Sequence, residues 1–179
     1  YSLLASRCYG WQCVGSDINE TSINNVATIL DNNKTLETQV TLRHQPNPHH
    51  IFEGIIKQGE RFDVSVCNPP FHASAEAALK THQQKQHNLK LKTNKPTLNF
   101  GGSAAELWCN GGEKLFLKKM IRESQAFAEQ CRWFTSLVSK IENVKPAIKL
   151  IQKLGATEVK QIDMYQGNKI TRILAWTFN

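Results

Sequence analysis

Four consecutive residues, Asn68-Pro69-Pro70-Phe71, have the groups needed to hold a planar amine. An amine conjugated with a heteroaromatic ring is a poor nucleophile because its lone pair is delocalised into the ring. Two acceptors on its two N–H groups localise that lone pair, and the Asn68 side-chain oxygen and the Pro69 carbonyl can be those acceptors. Proline fixes its own φ and keeps the preceding residue extended, so both acceptors are in place before a substrate binds. Phe71 offers a ring on which a base can stack, worth about 1–3 kcal/mol.

The tripeptide Asn68-Pro69-Pro70 is also a strong turn signal after a strand. Alone it does not distinguish an amine-binding site from a simple turn. Here it follows the apolar run Phe62–Cys67 and precedes the aromatic Phe71. This context favours a site for methylation of an amine.

A second candidate is Asp17, which ends the short apolar run Gln12–Ser16. In a nucleotide-binding α/β sheet, an acidic residue at a strand end can accept hydrogen bonds from both ribose hydroxyls of a cofactor. The carboxylate can instead stabilise the N-terminus of the helix that begins close by. The spacing alone leaves both roles open.

A lysine-rich stretch follows Phe71, and it contains no Asp or Glu from Ala77 to Ala105. Its basic residues are Lys80, Lys85, Lys90, Lys92 and Lys95, accompanied by His82 and His87. Lysines beside a base-binding site can neutralise phosphates without reading sequence, although a solvated surface loop is the alternative. Because structureless loops of this length are uncommon in compact domains, we predict that residues 72–110 form a basic substrate loop.

Apolar patterns predict an alternation of strands and helices that would position these residues. Predicted strands are Gln12–Ser16, Val40–Leu42, Phe62–Cys67, Trp133–Val138, Thr157–Tyr165 and Thr171–Phe178. Predicted helices are Thr21–Asn33 with Thr21 or Ser22 as cap, Ile51–Ile56, Glu113–Cys131, and one that starts near Pro146 and stops at Gly155. The pattern predicts an α/β fold with a mostly parallel sheet and a C-terminal antiparallel hairpin strand, turning at Gln166-Gly167-Asn168. Ligands of such sheets bind at the carboxyl ends of strands, where Asp17 and Asn68 fall.

Several further motifs are spread over nearly the whole chain. They are Tyr9-Gly10-Trp11 with Gly15-Ser16-Asp17, Phe62-Asp63 through Cys67-Asn68-Pro69-Pro70-Phe71, Leu98-Asn99-Phe100-Gly101-Gly102, Glu106-Leu107-Trp108-Cys109 with Gly111-Gly112-Glu113, Trp133–Ser139, and Ala175–Phe178. In this combination the chain resembles the bacterial ribosomal RNA large subunit methyltransferase F family and, more distantly, eukaryotic small nuclear RNA adenine methyltransferases. Asn-Pro-Pro-aromatic alone is shared with DNA amino-methyltransferases and protein glutamine methyltransferases.

The resemblance implies a Rossmann-like class I methyltransferase fold, S-adenosylmethionine (S-adenosyl-L-methionine) as methyl donor, and the N6 amine of an adenine in 23S ribosomal RNA as acceptor. It implies catalytic roles for Asn68, Pro69 and Phe71, and a ribose-binding role for Asp17. Ile18 would then pack near the cofactor adenine, and Gln45 and Asn47 are candidates for its edge. The substrate would be 23S RNA or a large-subunit assembly intermediate.

One part of the family pattern is missing. The glycine-rich loop of the family should lie about twenty residues before Asp17. The only glycines before Asp17 in this sequence are Gly10 and Gly15. We therefore expect residues 1–179 to be a single methyltransferase domain that lacks its first strand and glycine-rich loop.

Composition limits the remaining classes. The chain has 179 residues, a net charge of +7 and no run near the ~20 apolar residues of a membrane span. Its five cysteines are odd in number and form no Cys-x-x-Cys pair, which disfavours disulfides and zinc and favours a reducing cytoplasm, with each cysteine buried. We expect a metal-free monomer with no membrane association. The alternatives are a DNA adenine or protein glutamine methyltransferase, or an RNA-binding domain without activity.

Overall fold

A computed structural model of the chain describes residues 1–70, 111–166 and 169–179. They divide into two compact units, Tyr1–Glu60 and Arg61–Asn179. Phe71, the predicted loop 72–110 and the turn residues Gly167 and Asn168 lie outside the described residues.

The N-terminal unit is a two-stranded parallel sheet with helices. Its elements are α1 (Ser2–Tyr9), β1 (Cys13–Asp17), α2 (Glu20–Asp31), α3 (Lys34–Glu37) and β2 (Val40–His44). Asp17 lies opposite His44 in the parallel register. Leu30, Leu36 and Val40 form a buried hydrophobic cluster. Both strands were predicted from the sequence, but β1 lies one residue later than predicted and β2 extends two residues further.

Helix α1 has no predicted counterpart, and close packing explains its position on β1. It ends at Gly10, whose φ of +68° is a left-handed conformation suited to glycine. A Cβ added at Gly15 in β1 would lie 3.2 Å from the Ser2 hydroxyl oxygen. The glycine in β1 therefore lets the start of α1 approach the strand closely.

Two predictions in this unit are wrong in detail. Helix α2 is capped by Asn19, whose side-chain oxygen accepts from the backbone N–H groups of Thr21 and Ser22, so those two residues are not the cap. Residues 51–56 form turns and not a helix. Gly54 has a φ of +81°, which interrupts any right-handed helix there.

The C-terminal unit is a four-stranded sheet with two long helices. Its elements are β3 (Phe62–Cys67), α4 (Gly112–Ser124), a 3₁₀ turn (Gln125–Phe127), β4 (Cys131–Val138), α5 (Ile141–Lys153), β5 (Glu158–Gln166) and β6 (Lys169–Thr177). The strand order is β3-β4-β6-β5. β3 and β4 are parallel, and β6 is antiparallel to both β4 and β5. The predicted mostly parallel sheet with one antiparallel hairpin strand is confirmed.

Two helix boundaries differ from the sequence prediction. The helix predicted over Glu113–Cys131 ends at Ser124, and Cys131 begins β4. Helix α5 starts at Ile141, so Pro146 lies inside it and not in its first turn. The buried face of α5 extends on both sides of the proline, which shows that packing outweighs its missing N–H.

The core of this unit centres on Trp176 in β6 and Phe134 in β4, both fully buried, with ring centroids 5.9 Å apart. The indole N–H of Trp176 donates to the Ser124 hydroxyl at 2.9 Å, so the buried polar atom is satisfied. None of the helices in the described part of the chain has both the length and the apolar character needed to cross a membrane.

Candidate active site

Asn68 lies directly after β3, at its carboxyl end, and its side chain is exposed. The next residue, Pro69, is fully buried, and Pro70 is half-buried. Cys67 is paired with Ser136 of β4, so the residue before Asn68 is still held by the sheet. An exposed amide is thus fixed between a paired strand and a buried proline, where it can accept hydrogen bonds from a ligand.

The thiol beside this asparagine is not a nucleophile at neutral pH. Burial raises the pKa of Cys67 to about 12, against the weaker opposite effect of a hydrogen bond with Ser136. Burial likewise raises the pKa of Cys131 to about 11. Both thiols therefore stay protonated at neutral pH.

Glu113 is a buried carboxylate, only 1% exposed, that accepts four hydrogen bonds. It accepts from the Ser139 N–H at 2.8 Å, the Ser139 hydroxyl, the Lys140 N–H at 3.2 Å and the Asn143 side-chain amide at 2.7 Å. Lys140 is the N-cap of α5 and makes no side-chain cap of its own. Glu113 of α4 therefore caps the neighbouring helix and fixes the loop that follows β4.

The two glycines before Glu113 allow this approach. Gly111 and Gly112 have φ values of +78° and +59°, both in the left-handed region. A Cβ at Gly111 would lie 2.7 Å from atoms of Leu115. Nothing in the local sequence indicates that this carboxylate caps a second helix.

Asp17 in the N-terminal unit ends β1 and is half-buried. One carboxylate oxygen accepts from the Asn19 N–H at 2.7 Å, and Asn19 caps α2. No group in the described residues donates to its other oxygen. The adjacent Ile18 is 44% exposed, and its carbonyl lies 3.1 Å from His44 Nε2. A polar acceptor and an exposed apolar side chain are thus neighbours at the carboxyl end of β1.

Gln45 and Asn47 follow β2, at the carboxyl end of the strand paired with β1. Gln45 is buried, and its amide group donates to the Glu53 carbonyl at 2.8 Å while its oxygen accepts from the Asn47 N–H at 3.1 Å. The side-chain oxygen of Asn47 accepts from the His49 N–H at 2.9 Å. Both amides therefore brace the loop after β2, and a role for either at a cofactor stays a prediction.

The segment between β2 and β3 is also held by an ion pair. Sequence patterns did not reveal this pair. The Arg43 guanidinium donates to both carboxylate oxygens of Glu60, at 2.7 and 2.5 Å, and also to the Ile55 carbonyl. These hydrogen bonds from Arg43 lower the pKa of Glu60 to about 2, and the pKa of Arg43 is raised. A bidentate pair of this kind fixes the segment before β3.

The remaining predicted site residues cannot be placed. Phe71 and the lysines of the basic loop lie outside the described residues: Lys80, Lys85, Lys90, Lys92 and Lys95.

Among the described cysteines Cys131 is buried, but Cys8 is exposed, so the expectation of burial is wrong for Cys8. The described ranges contain no cluster of three or more His, Cys, Asp or Glu suited to a metal ion.

Solved structures with the same fold define the class. The chain matches the hMettl16 catalytic domain in complex with MAT2A 3'UTR hairpin 1 with a TM-score of 0.80 and 22% identity, over 100% of this chain and 60% of that one. It matches the N-terminal domain of human METTL16 in complex with SAH with a TM-score of 0.71 and 19% identity, over 100% of this chain and 56% of that one. At these identities the likeness establishes the fold, which is that of a class I methyltransferase.

The family follows from sequence. A family model described as RNA methyltransferase matches residues 1–179, and the chain belongs to this family. It is 62% identical to the ribosomal RNA large subunit methyltransferase F of Saccharophagus degradans, over 99% of this chain and 58% of the relative. It is 55% identical to the protein of that name in Shewanella oneidensis, over 100% of this chain and 51% of the relative. The resemblance identified from the motifs is thus confirmed, and the chain spans a little over half the length of these relatives.

Proposed function

We propose that the protein transfers a methyl group from S-adenosylmethionine to the N6 amine of an adenine in 23S ribosomal RNA. The observation that carries the proposal is the exposed Asn68 amide, held at the carboxyl end of β3 by the fully buried Pro69. Membership of an RNA methyltransferase family, and relatives named for ribosomal RNA, support the reaction and the substrate. Under this proposal the protein acts in the cytoplasm as a metal-free monomer, on 23S RNA or a large-subunit assembly intermediate.

Asn68 and Pro69 orient the amine. The Asn68 side-chain oxygen accepts one amine hydrogen and the Pro69 carbonyl accepts the other, so the nitrogen lone pair is localised and directed away from both acceptors. Neither group has to become charged, and neither has to rearrange when the reaction begins. The protonated Cys67 thiol stays outside the reaction. Phe71 would stack on the base.

Asp17 and Ile18 suit a bound nucleoside. The carboxylate oxygen that receives no hydrogen bond from the described residues can accept from ribose hydroxyls, and the exposed Ile18 side chain can cover an adenine. S-adenosylmethionine, when bound, supplies a methyl group on a positively charged sulfur, which makes that carbon electrophilic. Gln45 and Asn47 would support the adenine pocket from the loop after β2.

The lysines of residues 72–110 would contact phosphates of the RNA, and residues 1–179 would act as one methyltransferase domain. Both roles belong to the proposed function. They account for a long basic segment placed directly after the residue that would stack on the target base.

The test is methyl transfer by the full-length protein to unmodified 23S RNA, followed by nucleoside analysis. We expect N6-methyladenosine, and Asn68→Ala should lower the rate at least about 100-fold because one preorganised acceptor is lost. Asn25→Ala is a matched control, since Asn25 is an exposed asparagine on α2 far in sequence from the strand end.

Three results would contradict parts of the proposal. Full activity of Asn68→Ala would remove the proposed acceptor. Transfer to DNA or to protein glutamine, with none to RNA, would remove the ribosomal substrate. Binding of RNA with no transfer to any acceptor would indicate an RNA-binding domain without activity.

A further inference from the structure

The two long helices of the C-terminal unit carry six exposed basic side chains in two regular rows. The row on α4 is Lys114, Lys118 and Arg122, and the row on α5 is Lys145, Lys149 and Lys153. Residues four apart lie on one side of a helix, so each row is a straight stripe about 12 Å long. We call these six residues the two-helix basic face.

The two rows are neighbours on one layer of the fold. Helices α4 and α5 pack against each other and both pack on β4. Glu113 of α4 bonds to Lys140 and Asn143 at the start of α5, which brings the two N-terminal ends together. The buried sides of the helices hold residues such as Ile121 and Ile151, both fully buried, so the basic rows point to solvent.

The face starts at the edge of the sheet that carries Asn68. Both helix starts lie at the carboxyl ends of β3 and β4, because α5 follows β4 directly and is joined there to the start of α4. The rows then extend from that edge toward Arg122 and Lys153, along the helical layer. A polymer that enters the sheet edge can continue over them.

The positive charge of the face is not compensated within the described residues. None of the six side chains has an ion-pair partner there. The two helices contain three carboxylates, the buried Glu113, the half-buried Glu123 and the exposed Glu142. Residues 111–179 contain twelve Lys and Arg against six Asp and Glu, whereas residues 1–60 contain four against six. The described basic surplus is therefore concentrated in the unit that carries the face.

We propose that the two-helix basic face binds the phosphate backbone of the RNA substrate, a contact separate from residues 72–110. The inference rests on the proposed function and names the surface that holds the RNA beyond its target base. Rows of unpaired Lys and Arg suit a polyanion that is contacted without sequence readout. An anionic membrane fits less well, since each helix exposes only one large apolar side chain among the described residues, Leu115 on α4 and Ile141 on α5, and insertion needs a continuous apolar stripe.

The experiment measures binding of the full-length protein to an unmodified 23S RNA transcript at several salt concentrations. The variants are Lys114→Gln with Lys118→Gln and Arg122→Gln, Lys145→Gln with Lys149→Gln and Lys153→Gln, and a charge-matched control, Arg7→Gln with Lys34→Gln and Arg132→Gln. The control residues are also exposed but belong to other elements, α1, α3 and β4. Glutamine retains helix propensity, so the helices should stay folded.

Each face variant should bind about 100-fold more weakly at 0.1 M salt, and the slope of log affinity against log salt should fall by about 2, as for three lost phosphate contacts. The control should keep the wild-type slope. Replacing Lys145, Lys149 and Lys153 by Arg should retain binding, since the charge is kept. If a triple variant fails to fold, Lys149→Gln alone should weaken binding about five-fold.

The outcomes separate this inference from the proposed function. Face variants that bind RNA like the wild type, while the wild type still methylates it, would overturn the face and leave the methyltransferase proposal intact. A wild-type protein that neither binds nor methylates RNA would overturn both. Face variants that lose binding to phosphatidylglycerol vesicles but not to RNA would identify the face as a lipid-binding surface instead.

Discussion

Replacing Glu113 by glutamine removes a charged acceptor from a buried set of four donors. Two of the donors are flexible, because the Ser139 hydroxyl can rotate and the Asn143 amide can flip to accept from the new amide group. The other two, the N–H groups of Ser139 and Lys140, are backbone donors that cannot reverse. Glutamine has one oxygen in place of two, so at least one of these backbone donors is left without an acceptor.

The magnitude follows from these contacts. An unsatisfied buried N–H costs about 1–3 kcal/mol, and loss of the charge at the start of α5 costs about 0.3–1 kcal/mol more. The lower desolvation cost of a neutral amide offsets part of this sum. We expect Glu113→Gln to lower the free energy of unfolding by about 2 kcal/mol, a fall in Tm of about 4–8 °C for a chain of this size.

The assay is thermal unfolding followed by circular dichroism, with Glu142→Gln as the control. Glu142 is also a carboxylate in the first turn of α5, but it is exposed, so its loss should cost no more than about 1 kcal/mol. Equal melting temperatures for the two variants would refute the reasoning, because burial and the four hydrogen bonds would then contribute nothing.

Two further predictions concern acid stability and thiol reactivity. The pKa of Glu60 falls from 4.5 to about 2 in the fold, so its pairing with Arg43 stabilises the protein above pH 4.5 and the stabilisation is lost as pH falls toward 2. The difference corresponds to about 3 kcal/mol, which solvent screening of the 30% exposed carboxylate reduces to about 1–2. Urea midpoints measured against pH should show this loss in the wild type but not in Glu60→Gln. Iodoacetamide at pH 8 should modify the exposed Cys8 long before Cys67. The reason is that a pKa of about 12 gives Cys67 a thiolate fraction about 1000-fold below that of an ordinary thiol. Equal labelling of the two cysteines by mass spectrometry would contradict the assigned burial of Cys67.

The sequence predicted features whose causes are local. Phe62–Cys67 is an apolar run stopped by prolines, and the strand has the same bounds in the structure. Asp17 and Asn68 were expected at strand ends because each follows such a run, and both lie there. Gly155 was expected to stop a helix, and the helix ends two residues before it, with Gly155 at a φ of +85°.

Features caused by distant residues were missed. The start of α5 has no cap in its own sequence, since the capping carboxylate is Glu113, which precedes Lys140 by 27 residues. Pro146 was therefore taken as the only visible start signal, and the prediction was wrong. The pairing of Arg43 with Glu60, 17 residues apart, gives no local pattern either.

The same contrast between local and distant causes applies to the charged residues. The lysines between residues 77 and 105 are conspicuous because they are close together in sequence. The basic residues of α4 and α5 are spaced four apart and mixed with apolar ones, and only the packing of the two helices makes the two rows neighbours. A sequence shows runs of charge more readily than it shows faces.

The strand order β3-β4-β6-β5 constrains how the C-terminal unit is assembled during translation. Among the described strands β5 pairs only with β6, while β6 also supplies the second partner of β4. Residues 158–177 take about one to four seconds to synthesise at the usual rate, and until β6 is made β5 lacks its partner in the described sheet. Trp176, which fills the centre of the core, is among the last of these residues to be made. To complete the described sheet, β6 must therefore insert between β4 and β5, which are both made before it.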